Sequence, residues 1–137
     1  HDTERFLTLV GEDRAKLRCA LAVLFFFPGM PCICYGTEIG MVGEYEPDSR
    51  RTFDWNEEHW DRELQETVRK LAKLRKEKMG SGVKLYTQGD LFVIERGDLR
   101  LAVNNTGQAL RLQGETWYTI VAARSFAVFE RDREEMI

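Results

Sequence analysis

The first 80 residues carry apolar positions at helical spacing. Between Leu17 and Phe25, apolar residues recur at i, i+3, i+4, i+7 and i+8, which is one face of an amphipathic helix. We expect this helix to begin after Gly11 and to end before Pro28. A second helix is predicted to begin near Asn56, and its apolar stripe consists of Leu64, Val68, Leu71 and Leu74.

A short apolar run and a long polar segment separate the two predicted helices. The run Pro31–Tyr35 has no polar alternation and is bounded by proline and glycine, which favours a strand buried on both faces. Such a strand must form hydrogen bonds on both sides, and the first 80 residues contain no second run that could pair with it. Residues 36–56 are rich in glycine, proline and charge, and loops of this length are typically functional or disordered.

After residue 82 the hydrophobic period changes to two. Leu85–Thr87 and Leu91–Ile94 flank a turn at 88–90, and Gly97-Asp98 is a two-residue hairpin signal before Leu99–Val103. Several short strands with regular turns and no helix predict an antiparallel, sandwich-like sheet module. Three further short strands are predicted at 109–112, 117–121 and 126–129.

The change of period predicts a mixed fold class, α/β followed by all-β. We place the boundary at the glycine-rich residues 80–82, with one unit over 1–80 and an all-β domain over 81–137. The charged residues from Arg131 onward are predicted to fray.

Composition and charge exclude several classes of function. The hydrophobic fraction of 43% and the charged fraction of 31% are those of an ordinary globular chain of 137 residues. The net charge is −3 and the basic residues are scattered among acids, so we expect neither nucleic acid nor an anionic membrane as a partner. Cys19, Cys32 and Cys34 lie in apolar surroundings and predict reduced core thiols of a cytoplasmic protein, rather than disulfides or a metal site.

Three short motifs occur in order along the first 51 residues. His1-Asp2 is followed by Arg5, residues 28–40 are Pro-Gly-Met-Pro-Cys-Ile-Cys-Tyr-Gly-Thr-Glu-Ile-Gly, and residues 46–51 are Glu-Pro-Asp-Ser-Arg-Arg. Together they resemble conserved stretches of the α-amylase family of glycoside hydrolases, in the group of neopullulanases, cyclomaltodextrinases and maltogenic amylases. Thr37 and Glu46 depart from the family pattern, since both positions usually hold aspartate.

The resemblance implies a particular fold and reaction. It identifies residues 1–80 as the C-terminal portion of a (β/α)8 barrel, comprising the end of strand seven, helix seven, strand eight and helix eight, and residues 81–137 as an antiparallel β-sandwich-like C-terminal domain. It also implies retaining hydrolysis of α-1,4-glucosidic bonds in maltooligosaccharides, cyclodextrins or pullulan. That reaction uses two carboxyl groups about 5–5.5 Å apart, and a third carboxylate can stabilise the positive charge of the transition state.

The same resemblance implies roles for four residues. Asp2 would be the third carboxylate, His1 would bind the sugar at the cleavage point, and Arg50, with Glu46 beside it, would contact a sugar further away. It assigns no catalytic role to Glu38, whose position organises a loop in the family. No cofactor or metal is predicted, and nothing is predicted about calcium because the stretches that usually supply its ligands have no match in this chain. The nucleophile and the general acid lie on strands four and five of the family, which also have no match, so we expect the chain alone to be inactive.

Other interpretations of the same residues compete with this one. The chain could be a non-catalytic amylase-like subunit or carbohydrate-interaction module, or a small β-domain with a helical extension. Taken alone, Arg50 and Arg51 are typical of surface charges that pair with Asp48 or Glu46. Residues 1–80 are also expected to leave apolar side chains exposed, which would favour a homodimer or association with further barrel segments; these are Leu21, Leu24, Phe25 and Ile33.

Overall fold

A computed structural model describes residues 2–131 of the chain. His1 and most of the C-terminal stretch that was predicted to fray lie outside the described residues. The N-terminal part contains helices α1 (Phe6–Leu9), α2 (Arg14–Phe26) and α3 (Arg62–Glu77). Short 3₁₀ helices lie between α2 and α3, at Thr37–Ile39, Asp48–Arg50 and Glu57–His59.

Aspartate side chains set the first residues of the two long helices. Asp13 caps α2 by accepting a hydrogen bond from the Lys16 backbone N–H at 3.0 Å. Asp61 caps α3 in the same way, with its carboxylate 2.9 Å from the backbone nitrogen of Leu64. The predicted start of α3 near Asn56 is therefore wrong, because Asn56 caps the separate 3₁₀ helix that precedes it.

The buried strand predicted at Pro31–Tyr35 is wrong for this structure. The segment has no strand conformation, and none of the described strands pairs with it. Cys32 is exposed rather than in a core, while Cys19 is buried. An apolar run becomes a strand only where neighbouring strands accept its backbone hydrogen bonds, and the described residues provide no such neighbours at this position.

The C-terminal part is an antiparallel β structure, as its period predicted. Strands β1 (Val83–Gln88), β2 (Leu91–Arg96), β3 (Leu99–Asn104) and β6 (Ser125–Glu130) form one sheet in the order β1-β2-β3-β6. Strands β4 (Leu110–Gln113) and β5 (Tyr118–Val121) form a second sheet. The turn predicted at 88–90 is confirmed, although Gln88 belongs to β1 and residues 89–90 alone join the two strands; the predicted hairpin at 97–98 is confirmed as well.

The four-stranded sheet is covered on both faces. Ile94, Leu101 and Val128 point toward the helices and share one core with α2 and α3. Val93 and Ala102, their neighbours along the strands, point toward the two-stranded sheet and belong to a second core. The molecule therefore has three layers, and the hydrophobic core is continuous across residue 80.

This packing changes the expected pattern of exposed apolar residues. Leu21 and Phe25 are only 3% and 7% exposed, because they lie in the core shared by α2 and the sheet, so the prediction that they are exposed is wrong. Leu24 is 37% exposed as predicted, and Ile33 is partly buried.

Two arginines, one from α3 and one from the β part, bind the carbonyl groups at the end of α2. Arg75 of α3 donates to the carbonyl oxygens of Phe25, Phe27 and Gly29. Arg96 of β2 donates through Nη1 to Phe26 and Phe27, at 3.1 and 3.0 Å. The carbonyl groups at a helix C-terminus lack hydrogen-bond partners within the helix. The two arginines supply these hydrogen bonds, and their positive charges interact favourably with the negative end of the helix dipole.

Candidate functional site

The structure brings three of the four predicted site residues together. Arg50 Nη2 lies 3.0 Å from Asp2 Oδ1 and 3.1 Å from Glu46 Oε2. The three side chains are 44%, 68% and 51% exposed, respectively, so the cluster opens to solvent. One guanidinium therefore orients two carboxylates at a surface where a polar ligand has access.

A second ion pair shapes the loop that carries Arg50. The Asp48 carboxylate accepts two parallel hydrogen bonds from Arg51, at 2.7 and 2.8 Å, and a third from the Glu44 backbone N–H at 2.8 Å. The hydrogen bonds from Arg51 are the main reason why the pKa of Asp48 is lowered. The Arg51 side chain therefore binds within its own loop, whereas its neighbour Arg50 binds the carboxylates of Asp2 and Glu46.

Gly43 joins the segment after Asp2 to the loop of Arg50. Its carbonyl oxygen accepts from the Arg5 N–H, and its own N–H donates to Thr8 Oγ1, both at 2.9 Å. A Cβ atom at this position would lie 3.0 Å from the carbonyl oxygen of Asp48. Only glycine permits so close an approach without movement of the backbone.

Aromatic residues lie further along the same loop. Trp55 is 77% exposed, with its ring 4.6 Å from that of Phe53. His59 Nδ1 is 2.7 Å from Asp54 Oδ2, and this contact is the main cause of the lowered pKa of Asp54. Trp117, in contrast, packs against Phe129 inside the β part.

Sequence reasoning gave no role to Arg5, which is only 6% exposed beside the site. A sequence signal for its importance was present, because Arg5 belongs to the first motif and directly precedes the apolar residues of α1. Its burial depends on Tyr35 and Gly43, which lie 30 or more positions away, and no local pattern reveals that.

Within residues 2–131 no group of three or more histidine, cysteine or acidic side chains has a geometry that could hold a metal ion. Over the same residues, no helix is both long enough and apolar enough to cross a membrane.

The profile of the α-amylase catalytic domain matches residues 1–89, which is more than half of the chain. The chain belongs to the α-amylase family.

Individual relatives narrow the comparison within that family. The chain is 44% identical over 100 residues to a cyclomaltodextrinase of Thermoanaerobacter pseudethanolicus, a match that covers 70% of this chain and 17% of the relative. It is 47% identical over 75 residues to neopullulanase 2 of Thermoactinomyces vulgaris, covering 55% of this chain and 13% of the relative. These curated relatives are thus several times longer than this chain.

A solved structure supports the fold. The maltogenic amylase from S. marinus superposes with a TM-score of 0.85 at 24% identity, covering 96% of this chain and 21% of that one. The α-helical part and the β part are therefore arranged as in a portion of an α-amylase family structure.

Proposed function

We propose that this chain is part of a retaining α-glucan hydrolase that acts on α-1,4-glucosidic bonds of maltooligosaccharides, cyclodextrins or pullulan. Residues 1–80 would be the last part of its catalytic barrel, and residues 81–137 its C-terminal β domain. The enzyme would work in the cytoplasm, in keeping with three cysteines that are all free.

One observation carries the proposal: the contact between Asp2 and Arg50, 48 positions apart, at 3.0 Å. Both belong to motifs that resemble the family, and the contact places them at one solvent-open surface. There, the Asp2 carboxylate would stabilise the oxocarbenium-like transition state, while Arg50, Glu46 and His1 would bind sugar hydroxyl groups.

A chimera tests this function. The corresponding segment of the T. pseudethanolicus cyclomaltodextrinase would be replaced by this chain, and hydrolysis of β-cyclodextrin and maltotriose would be measured. We expect an active chimera whose kcat falls by about 10²–10³-fold on Asp2→Asn, since an electrostatic transition-state contact is lost. Asp90→Asn, in the turn between β1 and β2, is the matched control and should leave kcat unchanged.

The isolated chain should hydrolyse neither substrate, because the proposal assigns the nucleophile and general acid to other parts of the enzyme. Hydrolysis by the isolated chain would contradict that division of roles. A folded but inactive chimera would instead favour the alternative, a non-catalytic amylase-like subunit or carbohydrate-interaction module.

The proposal also covers association. Phe6 and Leu24 border a small apolar cavity of about 190 Å³ between α1 and α2, and both are exposed. We propose that further barrel segments, or a second copy of the chain, cover this face. Light scattering that shows a stable monomer without dye-binding apolar surface would contradict it.

A further inference from the structure

We infer that Arg5 and Tyr35 are positioning residues that hold Asp2 against Arg50. The inference rests on the proposed function, in which those two charged groups face the glucan. It concerns the Arg5–Tyr35 link, which consists of the contacts that join Arg5, Tyr35 and the backbone of Arg51.

The link connects the two chain segments that supply Asp2 and Arg50 to the site. Arg5 Nη1 donates to the carbonyl oxygen of Tyr35 at 2.8 Å, and its guanidinium carbon lies 5.1 Å from the centre of the Tyr35 ring. The Tyr35 hydroxyl then donates to the carbonyl oxygen of Arg51 at 2.7 Å. One tyrosine therefore ties the segment that begins at Asp2 to the residue directly after Arg50.

The hydrogen-bond pattern of Arg5 argues against a purely stabilising role. Its side chain is buried, yet Nε and Nη2 have no hydrogen-bond partner within the described part of the chain. Burying a cation whose donors are mostly unsatisfied costs stability, and an apolar side chain of similar length would fill the same space without that cost. An arginine at this position is better explained by what it orients.

Flexibility of the site side chains makes such a link useful. Asp2 and Arg50 are largely exposed, and an exposed ion pair by itself fixes geometry weakly. A transition-state contact requires a fixed position, since a displacement of about 1 Å can reduce the rate by about 10²-fold. The Arg5–Tyr35 link, in which Arg5 is buried and Tyr35 is exposed, adds fixed contacts that the ion pair lacks.

The β part contains a matched control for both residues. Arg111 lies over the ring of Tyr118, with its guanidinium carbon 4.1 Å from the ring centre, and both side chains are exposed on the two-stranded sheet. Arg111→Met and Tyr118→Phe thus make the same chemical changes as Arg5→Met and Tyr35→Phe, far along the chain from Asp2.

The test measures rotation of the Arg50 guanidinium by ¹⁵N NMR in the 137-residue chain, together with thermal unfolding. We expect loss of the slow-rotation signal of Arg50 in Arg5→Met and in Tyr35→Phe, with a melting temperature equal to or above that of the wild type for Arg5→Met. Asp2→Asn shows how much of the signal the Asp2 contact produces. Arg111→Met and Tyr118→Phe should leave the signal intact.

Two results would overturn the inference. The first is an Arg50 signal that is unchanged in both Arg5→Met and Tyr35→Phe. The second is a lower melting temperature of Arg5→Met together with an unchanged Arg50 signal in Tyr35→Phe, which would give Arg5 a structural role only. Tyr35→Phe keeps the ring and removes only the hydroxyl, so it remains informative if Arg5→Met does not fold. In the chimera, both variants should lower kcat, whereas an inactive parent chimera would count against the proposed function without affecting the NMR result.

Discussion

Two arginine–carboxylate clusters, one in each part of the molecule, have similar distances and different surroundings. Arg50 binds Asp2 and Glu46 at 3.0 and 3.1 Å, with side chains that are 44–68% exposed. Arg100 binds Glu95 at 2.8 Å, with side chains that are 10% and 7% exposed. Near-equal contact distances therefore coincide with opposite access to solvent, and access decides what each cluster can do.

The buried cluster has its own partners inside the β part. Tyr86 donates its hydroxyl to Glu95 Oε1 at 3.0 Å, and the guanidinium carbon of Arg100 lies 4.7 Å from the centre of the Trp117 ring. Burial would raise the pKa of Glu95, but hydrogen bonds from Arg100 and Tyr86 outweigh it, so the pKa is lowered. A ligand has little access to this cluster, whereas the exposed cluster offers its carboxylates to solvent.

The largest expected effect on the free energy of unfolding comes from breaking the buried ion pair. Arg100→Ala removes the 2.8 Å partner of the buried Glu95 carboxylate and leaves only the longer contact from Arg131 Nη2 at 3.8 Å. It should reduce the free energy of unfolding by about 3–5 kcal/mol, measured by urea denaturation. The double variant Glu95→Leu/Arg100→Met removes both charges and should recover most of the loss. Arg111→Ala, at an exposed position, is the control, and a loss below about 1 kcal/mol for Arg100→Ala would refute the comparison.

A second prediction concerns the contact between the two parts. Arg96→Ala removes the hydrogen bonds to Phe26, Phe27 and Gly80 and should cost about 2–3 kcal/mol, with faster amide exchange in the last turn of α2. Arg69→Ala, on the exposed side of α3, should change neither quantity. Unchanged exchange in Arg96→Ala would show that the arginine does not hold α2.

Acid should weaken the buried cluster in a graded way. Because the folded pKa of Glu95 is lowered, its stabilising contribution is present above the unfolded value of about 4.3 and is lost as pH falls through the folded pKa. The difference in unfolding free energy between wild type and Glu95→Gln should therefore shrink from pH 6 to pH 3. A difference that stays constant over this range would contradict the lowered pKa.

The smallest effect on stability is expected at the exposed cluster. Arg50→Ala should change the unfolding free energy by less than about 1 kcal/mol, because an exposed ion pair gains little over hydration. The same substitution in the chimera should raise KM for maltotriose, since Arg50 is proposed to bind sugar. A stability loss as large as that of Arg100→Ala would mean that the two clusters do not differ as described.

Local patterns predicted the parts of the fold that depend on local rules. The turn predicted at 88–90 and the two-residue hairpin at 97–98 were visible because glycine followed by aspartate favours tight turns. Helix α2 was visible from apolar spacing, although its first residue depended on the Asp13 cap. The strand predicted at Pro31–Tyr35 failed because pairing depends on other strands, not on the run itself.

The candidate site shows the same difference between what local patterns predict and what tertiary contacts decide. The motifs alone indicated Asp2, Arg50 and Glu46, because their residue types and order resemble the family. No sequence pattern pairs Arg5 with Tyr35, because a contact between a cation and a ring 30 positions away does not change local periodicity.

The amino-acid sequence by itself determined the family, the apolar face of α3, the hairpin turns and the main charged residues of the candidate site. Only the tertiary structure decided that Leu21 and Phe25 are buried in the core that α2 shares with the sheet, that Arg50 reaches Asp2 at 3.0 Å, and that the Glu95 pair is enclosed. The reason is physical: hydrogen bonding within a turn or helix depends on neighbours along the chain, whereas burial and the strength of a charge pair depend on what folds over it.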